Sequence, residues 1–485
     1  MSIPAGDGVA RSLDPDNWDE FTRTSHNALD LMIDFLRGVA EGPVWRQAPP
    51  EVQARFDAPL PHDGQDFSAV IDIFRSSILP YGTGNLHPLF MGWVHGAGTP
   101  YGMIAEMLAA GLNANCGGRN HIGIEVERQI ARWAAEMFGY PAGASGLFVT
   151  GTSMATFLGL LVARDAAVGH EVRRGGLKSD PQLVLYASSE AHGCVPQAAD
   201  LAGIGSAHLR LVPVAANGGI DVDRLRIAIR SDRDAGHRPF LVVGTAGTVN
   251  TGAFDDLDAL ADVAHAEGLW FHVDGALGAL AILSPTFRPR LKGLERSHSI
   301  AFDFHKWAHV PYDAGFLLVR DPNLHRATFA HPVPYLARAP RGLGSGGTWP
   351  RDLGPDLSRG FRALKAWMTI RTLGADRIGA AIDRCCAVAR HLEGLLAASS
   401  SFVPAAPVHL NIVCFGLRGR REEALLEPIV MDLQERGIAA PSMTVLDGKP
   451  VIRAAIVNHR SEERHMDLFV RELEASRQRL AGTAC

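Results

Sequence analysis

The sequence predicts an α/β protein: a central layered region with a mixed, mostly parallel sheet, preceded by a helical and extended arm and followed by a small α+β region. Two observations carry this reading. Between Gly102 and Asp321 short apolar runs alternate with helix-length segments, and the runs are continuous, as strands buried on both faces are. The chain has 485 residues, 47% of them hydrophobic, enough for a large core divided among two or three packed regions. The expected divisions are an arm over 1–85, an α/β region over 86–360 and a smaller region over 361–485.

The elements follow in order. From Trp18 to Gly42 apolar residues recur at threes and fours (Ala28, Leu31, Phe35 and Val39, widened by Met32 and Leu36), which predicts a helix. Trp45 to Pro61 is Pro-rich and reads as extended chain; Phe67 to Leu79 is helical again. An arm of this kind often wraps a partner subunit. Gln129–Phe138 reads as helix, Leu147–Thr150 as a brief strand, and Met154–Arg164 as the helix after it. Leu183–Ala187, Phe240–Gly244, Leu269–Val273, Ser299–Phe302 and Gly315–Val319 read as further buried strands, with Leu257–Glu267 as a crossover helix. The glycines between Pro340 and Pro350 mark a mobile loop. A long helical stretch, Phe361–Leu396, follows. Strands near His409–Phe415 and Val451–Val457 and a last helix, Glu462–Leu480, complete the chain.

Composition excludes several classes. The net charge of -5 with 20% charged residues leaves no basic excess for nucleic acid or an anionic membrane. No apolar run reaches the roughly 18 residues of a membrane span, and the N-terminus lacks the basic-then-apolar order of a signal peptide. A cytoplasmic protein is expected. The six cysteines form no CxxC pair and no Cys/His cluster with zinc spacing, so no metal is expected.

Two motifs carry chemistry. Phe271-His-Val-Asp-Gly-Ala276 ends a strand, and Asp303-Phe-His-Lys-Trp307 follows the next one. Alone, Asp274 before a glycine is an ordinary turn residue and Lys306 a half-buried cation. Together they match pyridoxal-phosphate (PLP) chemistry, which needs an amine for imine formation and an acid beside the pyridine nitrogen. Both stand at strand ends, where open α/β sheets bind ligands. Thr150-Gly-Thr-Ser-Met154, between a strand and a helix, suits an anion: Thr152 and Ser153 offer hydroxyls and the helix start offers free N–H groups. Read alone it is a plain helix cap. Ser189-Glu-Ala-His192 adds an imidazole past another strand end.

The order GTS, SEAH, GTAGTV…FDD, HVDGA, DFHKW resembles the group II PLP-dependent amino acid decarboxylases, aromatic-L-amino-acid decarboxylase among them. The likeness extends from His87-Pro-Leu-Phe90 to Arg359-Gly-Phe-Arg-Ala-Leu-Lys-Ala-Trp367. It implies the fold type I, PLP-dependent transferase-like architecture and a homodimer with shared active sites. It implies that Lys306 carries the cofactor as a Schiff base, that Asp274 pairs with the ring nitrogen, and that Ala276 and His192 cover the two ring faces. It sets Thr152, Ser153 and Asp303 or His305 near the phosphate, and Thr248 near the ring oxygen or Asp274. Tyr335 matches a loop tyrosine that protonates the substrate carbon, and Leu357 and Ser358 match backbone positions reaching a neighbouring subunit's phosphate. The sequence departs from the family at Met154, where Glu is common, and at Val249, where Thr is frequent.

For the substrate, Phe90-Met-Gly-Trp-Val-His95 resembles the family's pocket strand. Trp93 and Val94 favour an aromatic side chain; His95, Asn115 or His121 instead suit a polar or acidic one. The expected activity is decarboxylation of an L-amino acid, aromatic by preference, to the amine. The alternatives are a decarboxylase for acidic or other amino acids, an aldehyde synthase, which adds oxidative deamination, and a silent PLP-fold regulatory protein.

Overall fold

A computed structural model describes residues 12–178, 181–331, 334 and 337–483. Its centre is a seven-stranded sheet. The strands are β1 (Ser145–Val149), β2 (Leu183–Ser188), β3 (Leu209–Val212), β4 (Arg238–Thr245), β5 (Trp270–Asp274), β6 (Ser299–Asp303) and β7 (Gly315–Val319). They lie in the order β1-β7-β6-β5-β4-β2-β3. Strands β6, β5, β4, β2 and β3 pair in parallel, joined by helical crossovers such as Val222–Asp234 and Leu257–Glu267. The runs of Val, Leu and Phe in β6, β5, β4 and β2 are buried because helices cover both faces, while β3 is a half-exposed edge.

The sequence reading treats β7 as one more parallel strand. It is antiparallel to both β6 and β1. Only a short segment separates Asp303 from Gly315, less than the dozen or so residues a parallel crossover requires. Burial on both faces erases any sign of strand direction from the apolar pattern.

The C-terminal region holds an antiparallel sheet of β8 (Phe402–Pro404), β9 (Ile412–Leu417), β10 (Ser442–Leu446) and β11 (Lys449–Ala455), in the order β10-β11-β9-β8. Residues 89–91 join it: the Met91 N–H donates to Ala440 O at 2.9 Å and the Ala455 N–H to Met91 O at 2.9 Å. That contact carries the Trp93–His95 segment to the edge of the large sheet.

Two further expectations are corrected, and the helical reading of Phe67–Leu79 holds. Phe361–Leu396 is two helices, Arg362–Leu373 and Ala375–Ala398, broken at Gly374, whose φ of 77° an L side chain rarely adopts. The helix from Phe67 ends at Ile73 and continues as a wider π turn. Trp45–Pro61 is not all extended, since Pro50–Gln53 and Ala54–Asp57 form short helical turns. Among the described residues, no helix is long and apolar enough to cross a membrane.

Candidate active site

The carboxyl ends of β4, β5 and β6 and the turns after β1 and β2 meet at one edge of the sheet, around a cavity of about 360 Å³. Its walls include Trp93, Val94, His95, Thr152, Ser153, His192, Asp274, Ala276, Asp303, His305 and Lys306. Eleven residues singled out in the sequence thus converge from five separate segments.

Lys306 stands on a single helical turn, Phe304–Trp307. Phe304 and Trp307 are buried and fix its inner side. Phe304 packs on Phe302 with ring centroids 4.8 Å apart and on Phe316 at 5.7 Å; each such burial contributes roughly 1.5–3 kcal/mol. His305 and Lys306 therefore face the cavity. Lys306 Nζ lies 3.0 Å from Asp303 Oδ2. Asp303 Oδ1 accepts the Thr152 N–H at 2.8 Å, and His305 Nε2 is 3.6 Å away. One buried carboxylate thereby ties the lysine to the start of the helix Thr152–Val168. His305 Nδ1 accepts the Ala314 N–H at 3.1 Å. Burial holds this imidazole down to about 4, so near neutrality it is uncharged, with its proton on the nitrogen facing Asp303.

Four groups here lack what their chemistry asks for. Asp274 is 3% exposed and, among the described residues, has no cation beside it; Oδ1 accepts the Ala276 N–H at 3.1 Å and Oδ2 meets the Cys194 thiol at 3.7 Å. The hydroxyls of Thr152 and Thr245 are buried without a hydrogen-bond partner among the described residues. Arg453 spends Nε on Val249 O at 2.9 Å and Nη1 on Gly92 O at 3.0 Å, but its buried Nη2 has no acceptor among the described residues. Buried polar groups left unmet are costly. The cavity is built for an occupant carrying an anion, a cationic centre and hydrogen-bonding groups.

An aromatic wall closes the outer side. Trp93 and His95 rings are 5.6 Å apart, His95 and Tyr312 5.9 Å, and Tyr312 and His305 4.2 Å. Burial, and after it the Lys306 charge, hold His95 below the usual imidazole range. Burial, with the Asp303 charge, pushes the Tyr312 phenol up to about 12. His192 lines the cavity from a largely exposed position, its Nδ1 accepting the Cys194 N–H at 3.1 Å.

Other residues singled out in the sequence stand elsewhere. Thr248 is fully buried outside the cavity wall; its hydroxyl meets Thr251 Oγ1 at 3.0 Å and accepts the Ala253 N–H at 3.1 Å. Thr245, three residues earlier, lines the cavity instead. Asn115 Oδ1 accepts the N–H groups of Gly117 and Arg359, and His121 caps the helix Ile122–Met137. Leu357 and Ser358 are exposed, beside the buried Arg359–Glu127 ion pair at 2.7 Å. None of these lines the cavity of this chain. Tyr335 lies outside the described residues.

Cys194, Thr245, Tyr312 and Arg453 line the cavity and escaped the sequence reading. Arg453 left a signal: one cation inside the apolar run Val451-Ile-Arg-Ala-Ala-Ile-Val457. Thr245 is the first threonine of the GTAGTV motif; both it and Thr248 are buried, and only its place in the cavity wall, with its hydroxyl unpaired among the described residues, tells it from Thr248.

Comparison with known proteins agrees with this geometry. Residues 49–418 match the pyridoxal-dependent decarboxylase conserved domain. The chain is 29% identical over 471 residues to an aromatic-L-amino-acid decarboxylase of Bacillus atrophaeus, covering 94% of this chain and 95% of that one. It is 28% identical over 497 residues to 4-hydroxyphenylacetaldehyde synthase of Rhodiola rosea, covering 99% and 100%. Its fold is similar to the crystal structure of Oryza sativa TDC with PLP and tryptamine, with a TM-score of 0.88, 28% identity, and 97% and 100% of the two chains covered. The residues present fit that cofactor: a lysine for its aldehyde, an uncompensated carboxylate for its ring nitrogen, and a helix start with a free hydroxyl for its phosphate. The chain belongs to the pyridoxal-dependent decarboxylase family, and it is a carboxy-lyase that acts on an amino acid with pyridoxal phosphate.

Proposed function

We propose that the protein decarboxylates an aromatic L-amino acid to the amine. The observation that carries the substrate class is the wall of Trp93, His95 and Tyr312, three rings facing the cavity with Lys306 behind them. Trp93 is 57% exposed, and a flat apolar side chain laid on it removes that surface from water. The names of the relatives support the same class, since both the Bacillus and the Rhodiola proteins are named for aromatic compounds.

Pyridoxal phosphate, when bound, supplies the electron sink that takes up the bonding pair left by departing carbon dioxide. The chain's own groups do the rest. Lys306 Nζ holds the cofactor, and Asp303 fixes that nitrogen's position. Asp274 keeps a proton on the ring nitrogen. The Thr152 hydroxyl, Ser153 and the N–H groups of the helix start hold the phosphate, and Ala276 and His192 bound the ring. The free Nη2 of Arg453 orients the substrate carboxylate. Tyr335 delivers a proton to the substrate carbon, so the product is an amine.

The segment after Tyr335 is anchored through Arg338, which stacks 3.5 Å over Trp349 and donates to Gly347 O at 2.5 Å. That anchor lies beside the cluster of Asn115, His121, Leu357 and Ser358, outside this chain's cavity. A homodimer in which the cluster completes the neighbour's site accounts for both facts. It also covers the arm's exposed Trp18, Phe21, Phe67 and Val70. Active protein sedimenting as a monomer would remove the dimer from this reading.

The test is a screen of the common amino acids with the holoenzyme and with Tyr335→Phe, measuring carbon dioxide, amine, ammonia and hydrogen peroxide. Aromatic substrates should yield carbon dioxide and amine in equal amounts. In Tyr335→Phe amine should fall, while aldehyde, ammonia and peroxide rise at the expense of oxygen. Wild-type protein releasing peroxide and ammonia with each carbon dioxide is an aldehyde synthase. Turnover of acidic amino acids alone sinks the aromatic assignment, and no turnover at all favours a silent binder.

A further inference from the structure

A second cavity, of about 620 Å³, lies behind the segment that carries Lys306, and the proposed reaction does not use it. Ala308 and His309 line it, and the His309 N–H donates to Lys306 O at 3.3 Å. The remaining walls come from the helices Trp18–Arg37, Pro100–Leu112 and Ala375–Ala398, the end of the helix Arg362–Leu373 and the segment at His459.

Among the described residues the lining holds four arginines, Arg37, Arg377, Arg384 and Arg460, and no carboxylate. Arg37 is paired with Asp34 at 3.2 Å. Among the described residues the other three have no carboxylate within ion-pair reach. Arg384 donates to the carbonyl of His459 and Arg460 to that of Ala97 at 3.4 Å, both neutral acceptors. Two imidazoles stand between them, His309 and His459, with rings 4.7 Å apart. Burial holds both below the usual range, and the neighbouring arginines add to the effect. The positive field therefore comes from the guanidiniums.

Three uncompensated guanidiniums around one concavity repel each other and focus a field that attracts anions. Guanidinium groups suit carboxylate and phosphate because they offer paired N–H donors. Apart from Thr99 and Tyr101 the rest of the wall is apolar, with Ile33, Leu36, Leu373 and Ile378, so a bare hydrated ion leaves that part of it unsatisfied. We propose that this cavity binds an amphipathic organic anion, a phosphate or carboxylate head on an apolar body, with the head on Arg377, Arg384 and Arg460.

The holoenzyme is titrated by calorimetry with phenyl phosphate, phenylacetate and inorganic phosphate. At least one of the two organic anions should bind saturably and more tightly than inorganic phosphate; which one binds better tells a phosphate from a carboxylate ligand. The double variant Arg377→Ala/Arg384→Ala changes two exposed side chains, so it should fold. It should weaken binding by about tenfold or more, roughly 1.4 kcal/mol. Ala381→Phe fills the apolar wall without touching a charge and should weaken the organic anions while sparing inorganic phosphate. The proposal is overturned if neither organic anion binds, as when a second copy of the chain fills the cavity. It is equally overturned if inorganic phosphate binds as tightly as both, or if both variants titrate like the wild type.

Discussion

Asp274 accepts one backbone N–H and touches a neutral thiol, yet it is buried and, among the described residues, has no cation beside it. Removing a carboxylate from water without a partner costs several kcal/mol, so its place in the fold makes sense when a cationic ring nitrogen sits against it. An Asn in its place still accepts the Ala276 N–H and preserves the turn, but it cannot hold a proton on the ring nitrogen. Asp274→Asn should lower kcat by about a hundredfold or more, roughly 2.7 kcal/mol of barrier. The apo protein should melt no lower than wild type, because a buried charge has been removed. A loss of activity under about tenfold would make Asp274 a turn residue. At this scale the sequence was legible where a residue sits inside a motif, as Lys306, Asp274, Thr152 and His192 do. It marked Arg453 only as a lone cation in an apolar run, with nothing to tie it to a cavity almost 150 residues from Lys306 in the chain, and it could not separate Thr245 from Thr248. Both threonines follow an apolar strand, and only the tertiary fold decides which hydroxyl is left free.

The elements that hold the site touch at one close approach. A Cβ on Gly315, the first residue of β7, would lie 2.3 Å from the Cα of Gly151, at the turn before the helix Thr152–Val168. β7 is pinned on both sides, Gly315 pairing with Val149 and with Asp303, so the strand cannot yield and the Gly151 turn must. Overpacking of this kind costs about 1–3 kcal/mol. Here it also displaces the Thr152 N–H from Asp303 and the helix start from the phosphate. Gly315→Ala should weaken binding of pyridoxal phosphate by about tenfold or more, roughly 1.4 kcal/mol, and lower the melting temperature of the apo protein. Unchanged affinity, measured by fluorescence titration of apo protein, would show that the turn does not position the phosphate. This contact depends on β7 running antiparallel beside β1, the one strand direction the apolar pattern did not reveal. The other central strands were legible because parallel strands buried on both faces form short continuous apolar runs. β3 and the helix Val222–Asp234 were not, since Leu209–Val212 is a half-exposed edge and the helix is largely charged.

Across the whole molecule, burial has fixed several histidines in the neutral form far from each other. His272 lies mid-strand in β5 and is held down to about 3; His305 beside Lys306 and His325 between Ser145 and Leu353 are held down to about 4. Their ordinary value is 6.5. As pH falls below it, the unfolded chain takes up a proton at each position while the folded chain does not. The unfolded state then binds more protons, and stability falls with pH. Each pKa unit corresponds to 1.36 kcal/mol, so moving from neutrality to about pH 5 costs about 2 kcal/mol for each histidine. One group opposes this. Asp255, whose carboxylate accepts the N–H groups of Thr245 and Ile220, is pushed up to about 6 by burial. It takes up its proton in the folded state first and returns about 1 kcal/mol over the same interval. Three histidines outweigh one carboxyl, and the net loss is several kcal/mol from a total that in most proteins is only about 5–15. The urea midpoint of the apo protein should therefore drop steeply between pH 7 and pH 5. His325→Gln should flatten that drop even though it lowers stability at pH 7, because the group that refuses the proton is gone. A midpoint that holds steady or rises toward pH 5 would mean that these imidazoles accept protons in the folded state, and that the interior around the sheet is wetter than its packing implies.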